Sequence, residues 1–281
     1  MVENRPGLTI ISHLFILLGI LAVCFPIYLA FVASTQTASE VIQVPLSLIP
    51  GTQLLENYSQ AFMGAGGEKG ASVANMLWIS LVMTLIIAIG KIAISLLSAF
   101  AIVYFRFPCR MLLFWLIFIT LMLPVEVRII PTFDVVANLH MLNSFAGLTI
   151  PLIASATATF LFRQFFSTIP DELLEASRVD GASAMRFFKD ILLPLSVPTI
   201  AALFVIQFIY GWNQYLWPLL MTTRENMFPI SVGLRQMMGS GDSLVEWNIV
   251  MATVILMLIP PIIIILAMQK WLVKGLIDSE K

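Results

Sequence analysis

Six stretches of this chain are apolar over about the length a helix needs to cross a bilayer, and that restricts the fold more than anything else in it. They run at about Thr9–Ala33, Met76–Val103, Met111–Ile130, Leu148–Phe166, Leu195–Leu219 and Ile249–Trp271. A hydrocarbon core of about 30 Å takes about 20 residues at 1.5 Å each. A helix also satisfies its own backbone in lipid. The expected fold is therefore all-α, a polytopic membrane protein with six transmembrane helices. Composition agrees, since 59% of the 281 residues are hydrophobic and 11% are charged, against about 25% charged in soluble domains.

The first run is about twice as long as a signal-peptide core, so it reads as an uncleaved span, kinked at Pro26. Ser34 to Asn75 is polar, with Pro45, Pro50 and a glycine cluster at 64–70, and reads as a long external loop. The expected layout is 1–33 for the cytoplasmic N-terminus and first span, 34–75 for a periplasmic loop, 76–271 for a five-span core with short cytoplasmic helices at 168–194, and 272–281 for a cytoplasmic tail. Basic residues gather in cytoplasmic loops. With the N-terminus inside, Arg5, Arg106, Arg110, Arg163, Arg178, Arg186, Lys189, Lys270, Lys274 and Lys281 are cytoplasmic, while Lys69, Arg128, Arg224 and Arg235 are external. Ten against four places both termini in the cytoplasm.

The longest charged, glycine-punctuated passage between apolar blocks, at 170–194, falls on that cytoplasmic side. Pro170 suits a first helical position, Asp171 and Glu172 suit a helix N-terminus, and Gly181 can end the helix in a left-handed conformation. Ser183 can cap a second short helix, which Pro194 is expected to stop. Two short helices with a turn between them, on the cytoplasmic side, make a docking device for another protein.

Other classes are poorly served. Basic residues number 15 and acidic residues 16, dispersed along the chain, which gives no footprint for nucleic acid. Cys24 and Cys109 are too few for a disulfide framework or a cysteine metal site, and His13 and His140 suggest no zinc site. The Gly90-Lys91 pair has Leu85 and Ile92 where a phosphate-cradling loop needs Gly and Ser or Thr. No catalytic constellation survives the topology, so the chain is not expected to be an enzyme, and energy must come from a partner. A secondary transporter would need an inverted repeat and a mid-membrane carboxylate, and neither is visible. A purely structural subunit would leave the 170–194 device unexplained.

A few polar residues stand out within the apolar runs. Lys91 falls near the middle of the second, where a charge costs about 2.5–3.5 kcal/mol on insertion scales. It is expected to face the bundle interior or water, as part of a path or as a structural lysine with polar neighbours. Glu126 and Arg128 follow Pro124 near the outer end of the third run, and suit either an outward cavity or a charge pair at the membrane edge. Gln207, Tyr210, Gln214 and Trp217 recur at helical spacing in the fifth run, with Asn213 beside them. Such a stripe serves a permeation path, or interhelical hydrogen bonding plus an aromatic belt.

The pattern Glu175-Ala-Ser177, three residues, Gly181, nine residues, Ile191-Leu-Leu-Pro194 resembles the cytoplasmic coupling-helix signature of ABC-importer permeases. Ser177 stands where that family usually has alanine. The passages Met122-Leu-Pro-Val-Glu-Val-Arg-Ile-Ile-Pro131, Leu161-Phe-Arg-Gln-Phe-Phe166 and Gly211-Trp-Asn-Gln-Tyr-Leu-Trp-Pro218 are similar to its carbohydrate-uptake class. The tail Gly275 to Lys281 is similar to the branch that takes up glycerol 3-phosphate. The resemblance implies a type I ABC-importer permease fold and ATPase coupling through Glu175, Ala176, Ser177, Arg178, Asp180, Gly181 and Pro194, with Leu173, Leu174 and Ala176 as the apolar seat. It implies a substrate path in which Lys91, Glu126, Arg128, Gln207, Tyr210, Asn213, Gln214 and Trp217 are the candidates. It also implies four kinds of partner: a second permease in a heterodimer, two ATP-binding subunits that bind the ATP and Mg, a periplasmic solute-binding protein, and membrane lipid. This chain itself holds no cofactor or metal in that reading. The implied cargo is glycerol 3-phosphate or a glycerophosphodiester, with a neutral sugar, oligosaccharide or polyol as the alternative.

Overall fold

The computed structural model describes residues 6–64, 72–122, 124–239 and 245–278. Arg5, Lys69, Lys281, most of the 64–70 glycine cluster and the last residues of the tail lie outside the described residues, as does the side chain of Lys274. Among the described residues there is no strand. The chain divides into two compact units, Met1–Asn75 with Gly233–Ile259, and Met76–Val232 with Pro260–Lys281.

In the first unit, helix α1 (Pro6–Ser34) runs without interruption through Pro26. Almost nothing of it is buried before Val32, and Phe15 is 80% exposed. One helical turn at Ala38–Val41 follows, closed by a capping box: Thr37 Oγ1 accepts from the Glu40 backbone N–H, and Glu40 accepts from that of Thr37 at 2.8 Å. Where a plain loop was expected, the segment also forms α2 (Leu54–Met63). Its buried Asn57 fixes it there. The amide nitrogen donates to the carbonyls of Ser34 and Gln36 at 2.9 and 2.8 Å, and Oδ1 accepts from Asn248 at 2.9 Å.

In the second unit, α3 (Val73–Tyr104) is the longest helix, and one of its faces is buried from Met76 to Ile102. After α4 (Arg110–Met122) comes a tight turn at Val125–Arg128 and then α5 (Ile129–Asn138). The third apolar run is thus not the continuous helix expected. Pro124 has no N–H and sits at φ −53°, ψ 147°, so the helix stops ahead of it. Glu126 and Arg128 consequently lie on a turn, and no ion pair joins them.

The fourth run is two pieces, α6 (Phe145–Leu152) and α7 (Ala156–Phe166), bent by 49° with Ser155 capping the second. Then follow α8 (Asp171–Val179), α9 (Ala184–Leu195), α10 (Val197–Trp212) and α11 (Leu216–Met221). Pro194 does not stop α9. It sits in the last turn, just after a wider π-helical turn at Phe188–Leu192 in which Leu193 N–H donates to the Phe188 carbonyl. The break comes at Ser196, where α9 and α10 bend by 72°. The last helix, α12 (Trp247–Asp278), continues through Pro260 and Pro261. At least three helices, at Thr9–Ser34, Val73–Tyr104 and Trp247–Trp271, are long and apolar enough to cross a bilayer, and up to five spans result if each bent pair is one.

Candidate functional site

The 170–183 part of the passage is built as its sequence implies, with Pro170 as the cap rather than the first helical residue. Past Asp180 the chain closes α8 with two hydrogen bonds, Gly181 N–H to the Arg178 carbonyl at 3.0 Å and Ala182 N–H to the Ser177 carbonyl at 2.9 Å. This is a Schellman closure, and it needs the left-handed residue that Gly181 supplies at φ +70°. An added Cβ at Gly181 would meet no atom within 4 Å, so the requirement is one of backbone conformation. Ser183 then caps α9 by accepting from Arg186 N–H at 3.3 Å, and Arg186 pairs with Asp190 at 3.4 Å on the surface.

Beneath this turn lies an aromatic bed. Phe187 packs 5.2 Å from Tyr104 and Phe188 4.9 Å from Phe100, while the Tyr104 hydroxyl donates to the Phe166 carbonyl at 3.3 Å. Leu174 packs against the same cluster, so it belongs to the chain's own core and not to an outward seat. Ser177 is buried and its hydroxyl donates to the Leu174 carbonyl at 3.0 Å. Serine in place of alanine therefore costs no unsatisfied group. Glu175, Ala176, Arg178, Asp180 and Pro194 are all exposed. With them stands an apolar line of Leu173, Ala176 and Val179, the last 87% exposed, and Met185 is exposed on α9. Sequence reasoning missed Val179 and Met185, although the spacing 173, 176, 179 was there to be read.

The polar candidates inside the apolar runs separate into two groups. Lys91, 6% exposed, holds its Nζ 3.5 Å from the centroid of the Tyr210 ring. Its helix and α10 approach closely about two turns from it, where a Cβ on Gly211 would come within 3.3 Å of the Thr84 backbone. Gln207 is buried on α10, one turn from Tyr210. The charge of Arg128 is near enough to act on Lys91, and those of Glu126 and Arg128 on Tyr210. Glu126, Asn213, Gln214 and Trp217 instead line a concavity of about 240 Å³ together with Ile129, Tyr215 and Leu216.

The helical stripe expected from Gln207 to Trp217 does not exist. Pro218 cannot donate to the Gln214 carbonyl, which accepts from the Ser231 hydroxyl at 2.7 Å instead. α10 therefore ends at Trp212, and Trp217 lies on α11, buried, with its Nε1 donating to the Leu148 carbonyl at 3.2 Å. Beside it Asn143 at φ 54° accepts from the backbone N–H groups of Thr223 and Arg224 at 2.7 and 3.0 Å. The partners are 80 residues apart, and no local pattern announces them.

A family model described as the binding-protein-dependent transport system inner membrane component matches residues 91–278. Over all 281 residues, covering 100% of both chains, the sequence is 59% identical to the sn-glycerol-3-phosphate transport system permease protein UgpE of Salmonella typhi. With the same coverage it is 59% identical to the protein of that name from Escherichia coli O1:K1 and 58% identical to that of Yersinia enterocolitica serotype O:8. Among solved structures it is similar to a chain of a bacterial ABC transporter involved in the import of the acidic polysaccharide alginate. The TM-score is 0.77 at 20% identity, over 97% of this chain and 99% of that one, a likeness of fold.

Proposed function

The chain belongs to the family of binding-protein-dependent transport system inner membrane components, and from that premise we propose that it is the permease subunit through which an ATP-driven importer passes sn-glycerol 3-phosphate across the bacterial inner membrane. The observation that carries the cargo is end-to-end identity of 59% with relatives named for that substrate. In this reading the chain spans the membrane six times with both termini in the cytoplasm, the third span being the α4 run interrupted at Pro124. It pairs with a second permease, receives substrate from a periplasmic binding protein, and rests on two ATP-binding subunits that hold ATP and Mg. No nucleotide is assigned to this chain.

The closed turn at 171–182 supports the coupling role. Glu175, Arg178 and Asp180 offer charged contacts, and Leu173, Ala176, Val179 and Met185 an apolar seat, to an ATPase subunit. Because Leu174, Phe187 and Phe188 are anchored on Phe100, Tyr104 and Phe166, a push on α8 is delivered to the ends of α3 and α7. A rigid-body shift of packed helices of this kind is the motion alternating access needs. Lys91, Glu126, Arg128, Gln207, Tyr210, Asn213, Gln214 and Trp217 border the path in this proposal.

The test is uptake by the complete importer, with its binding protein, in proteoliposomes containing ATP. Saturable uptake of sn-glycerol 3-phosphate in preference to maltose and glycerol is expected. Preferential uptake of a neutral sugar or polyol would overturn the cargo while leaving the family in place.

A further inference from the structure

Among the described residues, Lys91 is the only charged side chain that is buried. No described carboxylate lies within 4 Å of it, and the charge that acts on it is that of Arg128, another cation. The ammonium lies instead 3.5 Å from the centre of the Tyr210 ring. An aromatic face is a genuine but modest partner for a cation. A phosphate oxygen is a stronger one, because its hydrogen bond to an ammonium is charge-assisted. Lys91 and Arg128, cations near enough for one to act on the other, are also relieved by an arriving anion, and a phosphate monoester is an anion of the right chemistry.

We infer that Lys91 is the internal phosphate acceptor of the path, and that the Tyr210 ring is its resting partner, holding the ammonium in place until the substrate takes it over. Tyr210 is thus a positioning residue that acts through Lys91. Its hydroxyl is incidental to this role. The inference rests on the cargo proposed above, so the wild-type importer is the first arm of the test: if it does not take up sn-glycerol 3-phosphate, that reading fails and the inference falls with it.

If it does, the variants decide. Lys91→Gln should lower uptake or raise the apparent KM by about tenfold or more, the scale of one lost charge-assisted hydrogen bond. Recovery of the complex should stay normal. Lys91→Arg, which keeps the charge, should restore most of the uptake. Tyr210→Leu, which removes the ring, should raise the apparent KM more than Tyr210→Phe, which keeps it, with the maximal rate largely kept in both; equal effects of the two would overturn the role of the ring. Wild-type uptake and affinity in Lys91→Gln would overturn the inference. So would a fall in complex recovery shared by Lys91→Gln and Lys91→Arg, since the lysine would then be a structural group.

Discussion

Helices α1 and α3 are near twins in length and apolarity, yet they are used differently. Of the apolar stretch in α1, 6% is buried within the chain, against 50% in α3. The difference lies in the few residues that are not simply apolar. On α3, Ser80, Thr84, Lys91 and Ser95 fall on one helical face among Met83, Ile87 and Ala88, and all are buried. Ser80 Oγ accepts from the Ile230 N–H at 2.8 Å, and Ser95 Oγ accepts from the Thr159 hydroxyl at 3.1 Å. In lipid, apolarity does not distinguish a neighbouring helix from an acyl chain, so small and polar residues decide what packs on what. No comparable buried stripe runs along α1, whose surface is left to lipid or to another subunit.

The largest expected effect that would sharpen this contrast comes from the packed face. Met83→Ala should cost about 2–4 kcal/mol, in the range for a fully buried side chain. Phe15→Ala on α1 should cost under about 0.5 kcal/mol. Thermal inactivation of the purified complex measures both, and similar losses at the two sites would erase the distinction. Next come the glycines. A side chain at Gly211 collides with Thr84, whereas Gly19 has nothing within 4 Å. Gly211→Leu should therefore cost about 1–3 kcal/mol and lower complex recovery, with Gly19→Leu recovered like wild type.

A middle-sized effect is expected where packing is irrelevant. Gly181→Val strains a left-handed residue by about 1–2 kcal/mol without a clash, so transport and ATPase activity should become uncoupled in a complex of normal yield. Coupled turnover in that variant would show that the turn tolerates a side chain. The smallest effect lies just past α1. The Thr37 backbone N–H, followed by its hydroxyl, holds the exposed Glu40 carboxyl below the usual carboxylate range. A depressed carboxylate contributes stability above its unfolded pKa and loses it as pH falls through the folded one. Acidification through that window should lower the protection of the Glu40 and Val41 amides, read as exchange relative to the intrinsic rate at each pH, a loss absent in Glu40→Gln.

These differences also mark what the sequence could tell. The turn at 170–183 is legible because its determinants are neighbours: a cap, a glycine and two hydrogen bonds within the seven residues Ser177 to Ser183. Lys91 was legible as a buried cation because a charge in an apolar run has few places to go. Its partner was not, since Tyr210 meets it only once α3 and α10 have packed. The stripe through Trp217 fails because Pro218 acts four residues upstream, leaving the Gln214 carbonyl to Ser231. Leu174 was assigned outward because helical spacing gives the two faces of α8 and not which of them meets the core.

Lys91 also sets a problem of timing during synthesis. Its insertion cost of about 2.5–3.5 kcal/mol is offset by the many Ile, Leu, Val and Phe residues of α3, each contributing about 0.3–0.6 kcal/mol. The helix can therefore leave the translocon unaided. Tyr210 lies 119 residues further along the chain. At about 5–20 residues per second it emerges on the order of ten seconds later. Throughout that interval the ammonium has no ring to rest on and must stretch toward the headgroups or recruit water. The newborn helix thus rides at a depth set by its lysine, and settles to its final level only when α10 has arrived.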